Sequence, residues 1–380
     1  MTKAAELAKM GEVLTNSQIG GRRNIVINGA MQVAQRGTSL AMAHDGNTGN
    51  YLIDRFQCTF GGSPSTLDGT YAQVADHPLE SNGKSLKWTT GTAESAIASD
   101  ELLLFQQKVE AQNLQNLQFA SSNALKTTLS FYVKSSITGT FATSLRKRDT
   151  TERIINKTYT INSANTWERK ILTFDGDTDS GAGIANDNGE GIRVIWHLMA
   201  GTDFTTGSST SGWKDFALAD LADGQATNAI ATTAGATWQI TDCQWEVGSQ
   251  ATPFEHRSFG EELALCQRYY HRHVSDGSSQ NMFGVGFCDS STNATVQIHF
   301  PTTMRDQPSA LETTGTAGNY AIREGGGADI TCNAVPTMSG DTTPNVAVLG
   351  FTTSGSLTAD SGCMGRAVSS GVHLSFTAEL

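Results

Sequence analysis

From Arg22 to Glu255 the sequence is a succession of short alternating segments with no helical interval between them. SLKWTT, TTLSFYVKSS, GTFATSLRKR, RIINKTYTI, ERKILTFDG, IRVIWHLMAG and TWQITDCQWEVG place apolar residues at every second position, the period of a strand with one buried face. NIVINGAMQV, YLIDRFQCT, TYAQVA and LLLFQQKVEA read the same way. Between them stand SNGK, SSITG, DGDTDSGAG, NDNGEG and GTDFTTGSSTSG, composed of the residues that tight turns use. Many short strands joined by such turns predict an antiparallel sandwich or barrel, and the lack of a fixed-period repeat argues against a β-helix or propeller. The one break, NLQNLQF at 113–119, reads as a single helical turn.

Composition narrows the function classes. Charged residues make up 17% of the chain and its formal charge is −11, without the basic face that nucleic-acid binding needs. The six cysteines have irregular spacing and no CxxC pair, so neither a zinc site nor a redox motif is expected and buried free thiols are. MTKAAELAKMGEV has no apolar core or small-residue cleavage site, and no apolar run approaches the ~18 residues of a membrane span. The expectation is a chain made in a cytoplasm, with no membrane insertion.

The flanks follow another grammar. Residues 1–21 carry Leu7, Met10 and Leu14 on one helical stripe, which reads as a short docking segment for a partner. After the hinge-like ATPFEHRS, the stretch FGEELALCQRYYHRH at 259–273 has Leu263, Cys266, Tyr269 and Tyr270 at helical intervals, acids first and arginines last. NMFGVGFCD, ATVQIHF, NYAIRE, DITCNAV, NVAVLGF and VHLSFTAEL then restore the strand pattern. The sequence therefore predicts an all-β chain in three parts: a helical segment at 1–21, a β-sandwich at 22–256, and a helix with a smaller β domain at 257–380.

RRNIVINGAMQVAQRGTS, YLIDRFQ, KVEAQNLQNL, LSFYVKSSITGTF, TWERKILTFDGD and ITDCQWEVGSQATPFEHRSFGEELALCQRYY, in that order, resemble a family of phage virion proteins. These are tail-fibre or capsid-attached adhesins whose central domain is similar to a jelly-roll carbohydrate-binding module. The resemblance covers almost the whole chain. It implies a virion location, a homotrimer, other tail or capsid proteins as partners, and host-surface polysaccharide as ligand. It implies equally a capsid decoration, cement or head-fibre protein that clamps the shell. Many such jelly rolls hold a structural calcium with an acid early in the first strand. Here NGAMQ offers Ala30 and Gln32 instead, leaving Asp242 as the one carboxylate, too few for a strong site, so no cofactor is expected.

On a jelly-roll reading Ile25 and Ile27 point inward, and Gln35-Arg36-Gly37 leaves the first strand. Arg36, Asp54 and Arg55 then either lock strand ends or reach a ligand sugar. Sugar recognition uses aromatic faces against C–H bonds and polar side chains against hydroxyls. Trp88, Trp196, Trp238 and Trp245 fall within apolar alternation and suit the core. Trp213 in a polar loop, then Tyr51 and Trp167 at strand or turn edges, are the candidate platforms. GxSxG, HExxH and SxxK are absent and no carboxylate pair is fixed by spacing, so a non-enzymatic protein is expected.

Overall fold

The computed structural model describes Lys3 and residues 23–46, 49–63, 65–275 and 281–380. The docking stripe of Leu7, Met10 and Leu14 lies outside the described residues. The chain divides into two compact units, Met1–Glu262 together with Leu380, and Leu263–Glu379.

Thirteen strands build the first unit: β1 (Ser39–Ala43), β2 (Gly49–Tyr51), β3 (Gln57–Gly61), β4 (Asp68–Val74), β5 (Ser85–Thr90), β6 (Leu102–Glu110), β7 (Thr127–Ser135), β8 (Gly139–Lys147), β9 (Arg153–Ile161), β10 (Glu168–Phe174), β11 (Glu190–Ala200), β12 (Lys214–Asp215) and β13 (Thr237–Val247). They form a six-stranded sheet, β1-β4-β5-β13-β7-β10, and a seven-stranded sheet, β12-β9-β8-β11-β6-β3-β2. Every pairing is antiparallel. The chain crosses between sheets after β1, β3, β5, β6, β7, β9, β10 and β12, so this unit is a jelly-roll sandwich. The first five residues of NLQNLQF fall in a 3-10 helix at Ala111–Leu117, which ends at the left-handed Gln118.

Alternation fills the space between the sheets. Trp88, Trp238 and Trp245 from one sheet and Trp196 from the other are completely buried. Phe105 stacks on Trp238 with centroids 5.8 Å apart, and Tyr71 meets Phe105 edge-on at 5.0 Å. Trp238 Nε1 donates to the Tyr159 hydroxyl at 3.2 Å, so the one polar atom of that ring is satisfied across the layers. Each such ring contributes roughly 1.5–3 kcal/mol by burial. The outer face of the seven-stranded sheet is partly covered by the chain itself, because Phe204, Leu221 and Ala222 pack on Leu102, Leu104, Ile154 and Ile195. His197 and Ser144 are buried under the same cover, 2.8 Å apart, and the Ser144 hydroxyl donates to the Leu221 carbonyl at 2.7 Å.

Two strand expectations are corrected. NIVINGAMQV is not a strand: Asn28 (φ 59°) and Met31 (φ 56°) are left-handed, which no extended ladder tolerates. The Asn28 amide closes the resulting turn by donating to Val33 O (2.8 Å) and Asp54 O (3.0 Å). Val26 is fully buried there, whereas Ile25 and Ile27 are half-buried. YLIDRFQCT divides between β2 and β3, with Arg55 (φ 72°) at the break.

The second unit contains β14 (Tyr270–Val274), β15 (Met282–Cys288), β16 (Asn293–His299), β17 (Ala310–Thr313), β18 (Tyr320–Glu324), β19 (Ile330–Thr331), β20 (Thr337–Met338), β21 (Val346–Thr352), β22 (Gly362–Ala367) and β23 (His373–Thr377). A three-stranded sheet, β14-β23-β17, and a seven-stranded sheet, β19-β18-β22-β15-β16-β21-β20, enclose a core that includes Phe283, Tyr320, Phe351 and Phe376. The helix expected over 259–273 stops at Gln267. YHRHV becomes β14, paired with β23 from Tyr270↔Thr377 to Val274↔His373. HRH is therefore strand, not the end of the helix. Burial against this core drives the His271 imidazole down to about 4.

Candidate functional site

A cleft of about 620 Å³ opens at one rim of the jelly roll, lined by three segments of the first unit. The Asn28–Gln32 turn supplies Ala30 and Gln32, the β4–β5 connection supplies Leu79–Gly83, and the chain after β13 supplies Phe254, His256, Arg257, Phe259 and Glu262.

Each wall is fixed by its own polar groups. The turn is held where Asn28 N donates to Glu262 Oε1 (2.5 Å) and Cys243 N donates to Gly29 O (2.9 Å). A Cβ at Gly29 would lie 2.0 Å from Cys243 O, so the close approach requires glycine. The β4–β5 connection curls round His77, whose Nδ1 accepts from Leu79 N and Glu80 N, both at 3.1 Å. That leaves Nε2–H to donate to Asp242 Oδ1 at 3.1 Å. Burial raises the Asp242 carboxyl above its ordinary value, with the His77 bond opposing. The third wall is anchored by Glu255, which accepts from Arg23 N and Asn24 N, both at 3.0 Å. Burial favours its neutral form, yet these bonds and Arg257 outweigh that and hold its carboxyl below the usual range. Ser258 and Glu261 then cap the helix Phe259–Gln267 reciprocally, Ser258 N donating to Glu261 Oε2 (3.0 Å) and Glu261 N to Ser258 Oγ (3.3 Å).

The hydrogen-bonded walls leave an open lip. Leu79 is 72% and Phe259 60% exposed, although both are large and apolar. Ser81 and Asn82 are exposed, and among the described residues their side chains make no hydrogen bond. Glu80 and His256 face solvent 3.8 Å apart. An apolar lip beside open hydroxyl, amide and carboxylate groups can take a ligand that is apolar on one side and hydroxylated on the other. The same rim does not fit a calcium ion. Ala30 and Gln32 bring no carboxylate, Asp242 is engaged by His77, and no cluster of three metal-binding side chains exists among the described residues.

The residues singled out from sequence fall elsewhere, in three places. Arg36 lies over the Tyr51 ring (5.2 Å to its centroid) and 4.0 Å from Asp54. Asp54 and Arg55 are buried: Asp54 Oδ1 accepts from Gln35 N at 3.0 Å, and Arg55 donates to Lys108 O at 2.5 Å. Trp167 donates to Asp76 Oδ1 at 3.2 Å and carries the Lys134 ammonium 5.0 Å from its ring. Trp213 donates to Asp175 O at 2.7 Å and meets Phe119 edge-on at 5.5 Å. Of the cleft residues, only Ala30 and Gln32 had been weighed individually at a site, as the positions where a calcium-holding acid would stand. SNGK announced a turn, but nothing local announced that Phe259 would stand beside it.

No family model matches the chain, and no curated protein matches it. Among solved structures the chain is similar to the enzymatically active domain of tailspike protein 4 of bacteriophage CBA120, at 14% identity and TM-score 0.29 over 59% of this chain and 21% of that one. It is also similar to the family 11 carbohydrate-binding module of a cellulosomal cellulase of Clostridium thermocellum, at 8% identity and TM-score 0.28 over 54% of this chain and 98% of that one. The CBM22-1 xylan-binding domain of Paenibacillus barcinonensis matches at 10% identity and TM-score 0.27, over 61% of this chain and all of that one. At such identities and TM-scores these likenesses carry no argument about what this chain binds.

Proposed function

We propose that this chain is a phage virion adhesin whose jelly-roll unit holds host-surface glycan in the rim cleft, without cleaving it. The observation that carries the reading is the exposed Phe259 and Leu79 at a lip shared with Ser81, Asn82, Glu80 and His256. A phenyl face packs on sugar C–H bonds while amide, hydroxyl and carboxylate groups take the hydroxyls. The volume suits a short oligosaccharide segment. Of the two lining carboxylates, Glu262 is occupied by Asn28 N–H and Arg257, which favours binding over acid–base chemistry. A homotrimer on the particle would raise the avidity of such a modest site.

The test is a glycan array with the purified chain, followed by titration of the best ligand against Phe259→Ala and Asn82→Ala. Loss of an aromatic stack worth about 0.5–1.5 kcal/mol weakens binding roughly 2- to 13-fold. Glycan binding left intact in both variants removes the cleft from the proposal. An array with no bound glycan removes adhesion.

A further inference from the structure

The rim cleft carries a sign of charge. Its charged lining residues are Glu80, His256, Arg257 and Glu262, and the guanidinium among them is already spent. Arg257 Nη1 donates to Val26 O and Glu262 Oε1, both at 3.3 Å. Its Nη2 donates to Asn24 O and, at 3.2 Å, to Glu255 Oε2, and its Nε is buried. One cation therefore answers two carboxylates. Glu262 is only 8% exposed, and its bonds from Asn28 N and Arg257 both fall on Oε1. Oε2 accepts no hydrogen bond among the described residues and is not sealed from solvent, so a buried side chain leaves one charged oxygen open to the cleft. Glu80 faces solvent at the lip, 3.8 Å from His256 Nδ1.

We infer that the cleft selects glycans that carry a free, protonated amine and rejects those that carry acidic groups. This rests on the glycan reading of the cleft and names the class of sugar. A ring seated against Phe259 strips water from Glu262 Oε2, and covering a carboxylate is costly unless its charge is balanced. A sugar hydroxyl donates a hydrogen bond there but leaves the negative charge standing. An ammonium donates and balances it. An acidic sugar brings another anion to walls that offer no free cation, because Arg257 is engaged and His256, when protonated, pairs with Glu80. Glu80 adds its field at the mouth, where it reaches a charged ligand before contact.

The test is a glycan array that includes free-amine, N-acetylated and uronic acid sugars, probed at pH 7 with the full chain. The best free-amine glycan is then titrated beside its own N-acetylated form. An opposite charge within reach of a carboxylate is worth roughly one pKa unit or more, so the free amine should bind roughly ten-fold or more tighter than the acetylated form. That ratio should fall toward one in Glu262→Gln, which keeps the oxygen that Asn28 N–H needs, and should shrink in Glu80→Gln at an exposed position. Phe259→Ala should weaken both forms and leave the ratio in place. Bound glycans that are all acidic or uncharged, or a ratio that neither glutamine variant reduces, overturn the inference while the cleft keeps its glycan. An array with no bound glycan overturns both.

Discussion

His197 should make the jelly-roll unit acid-labile by a calculable amount. The Ser144 hydroxyl has one proton and gives it to Leu221 O, so it accepts from His197 Nε2–H, and the buried imidazole is neutral. Burial drives its pKa from the ordinary 6.5 to about 3. Between those values the unfolded chain binds a proton that the folded chain refuses, so stability rises with pH there and is lost on acidification. At pH 5 the unfolded imidazole lies about 1.5 units below its own pKa, which costs the folded state about 2 kcal/mol relative to neutral pH. His197→Gln keeps a donor toward Ser144 and removes the titration. All six tryptophans lie within Met1–Glu262, so their fluorescence follows unfolding of the first unit alone. Urea titrations at pH 7 and pH 5 should show wild type losing about 2 kcal/mol more than the variant. Equal losses in the two proteins would refute the neutral, water-excluded imidazole.

Three further outcomes follow from the geometry. Gly29→Ala forces a Cβ against the Cys243 carbonyl, a backbone atom that cannot swing away, and should cost more than the ~1–3 kcal/mol of ordinary overpacking, read as a lowered urea midpoint. Burial raises the Glu168 pKa, but bonds from Lys170, Ser163 N and the Asn162 side chain and backbone overcome it and hold the carboxyl at about 2. Its contribution is therefore present above the ordinary carboxylate range and lost as pH falls toward about 2, so Glu168→Gln should lower the thermal midpoint at pH 7 and converge with wild type on acidification. Equal midpoints at pH 7 would contradict this. Asp242 is shifted the other way by burial, so its ionised form is disfavoured and stability is lost as pH rises through the folded pKa. Asparagine still accepts from His77 and tolerates φ 50°, so Asp242→Asn should melt no lower than wild type at pH 7, and a lower midpoint there would show that the ionised carboxylate is favourable.

Alternation made the sandwich legible because it is a local consequence of burying one face of a strand. It placed Trp88, Trp196, Trp238 and Trp245 in the core, where all four are fully buried. It failed where a single dihedral outranks the pattern. NIVINGAMQV alternates well, yet its Asn28-Gly29 pair is a turn signal, and the left-handed Asn28 turns the chain before a ladder can form. It failed again where a distant partner decides. Tyr269 and Tyr270 continue the helical interval, but β23, a hundred residues later, draws YHRHV into a sheet. The cleft was hidden for both reasons, because it needs the curl round His77 and the arrival of Phe254–Phe259 from the far end of the unit.

The clasp at Glu255 also decides how the jelly roll carries mechanical load. Arg23 and Asn24 are fastened to its carboxylate, and Ile25 N donates to Trp245 O at 2.8 Å. Tension arriving from the residues before Arg23 therefore enters the sandwich at β13, which is flanked by β5 on one side and β7 on the other. An interior strand resists by shearing two ladders at once, whereas an edge strand unzips bond by bond. A chain tugged at that end would yield at the clasp before the sheet gave way.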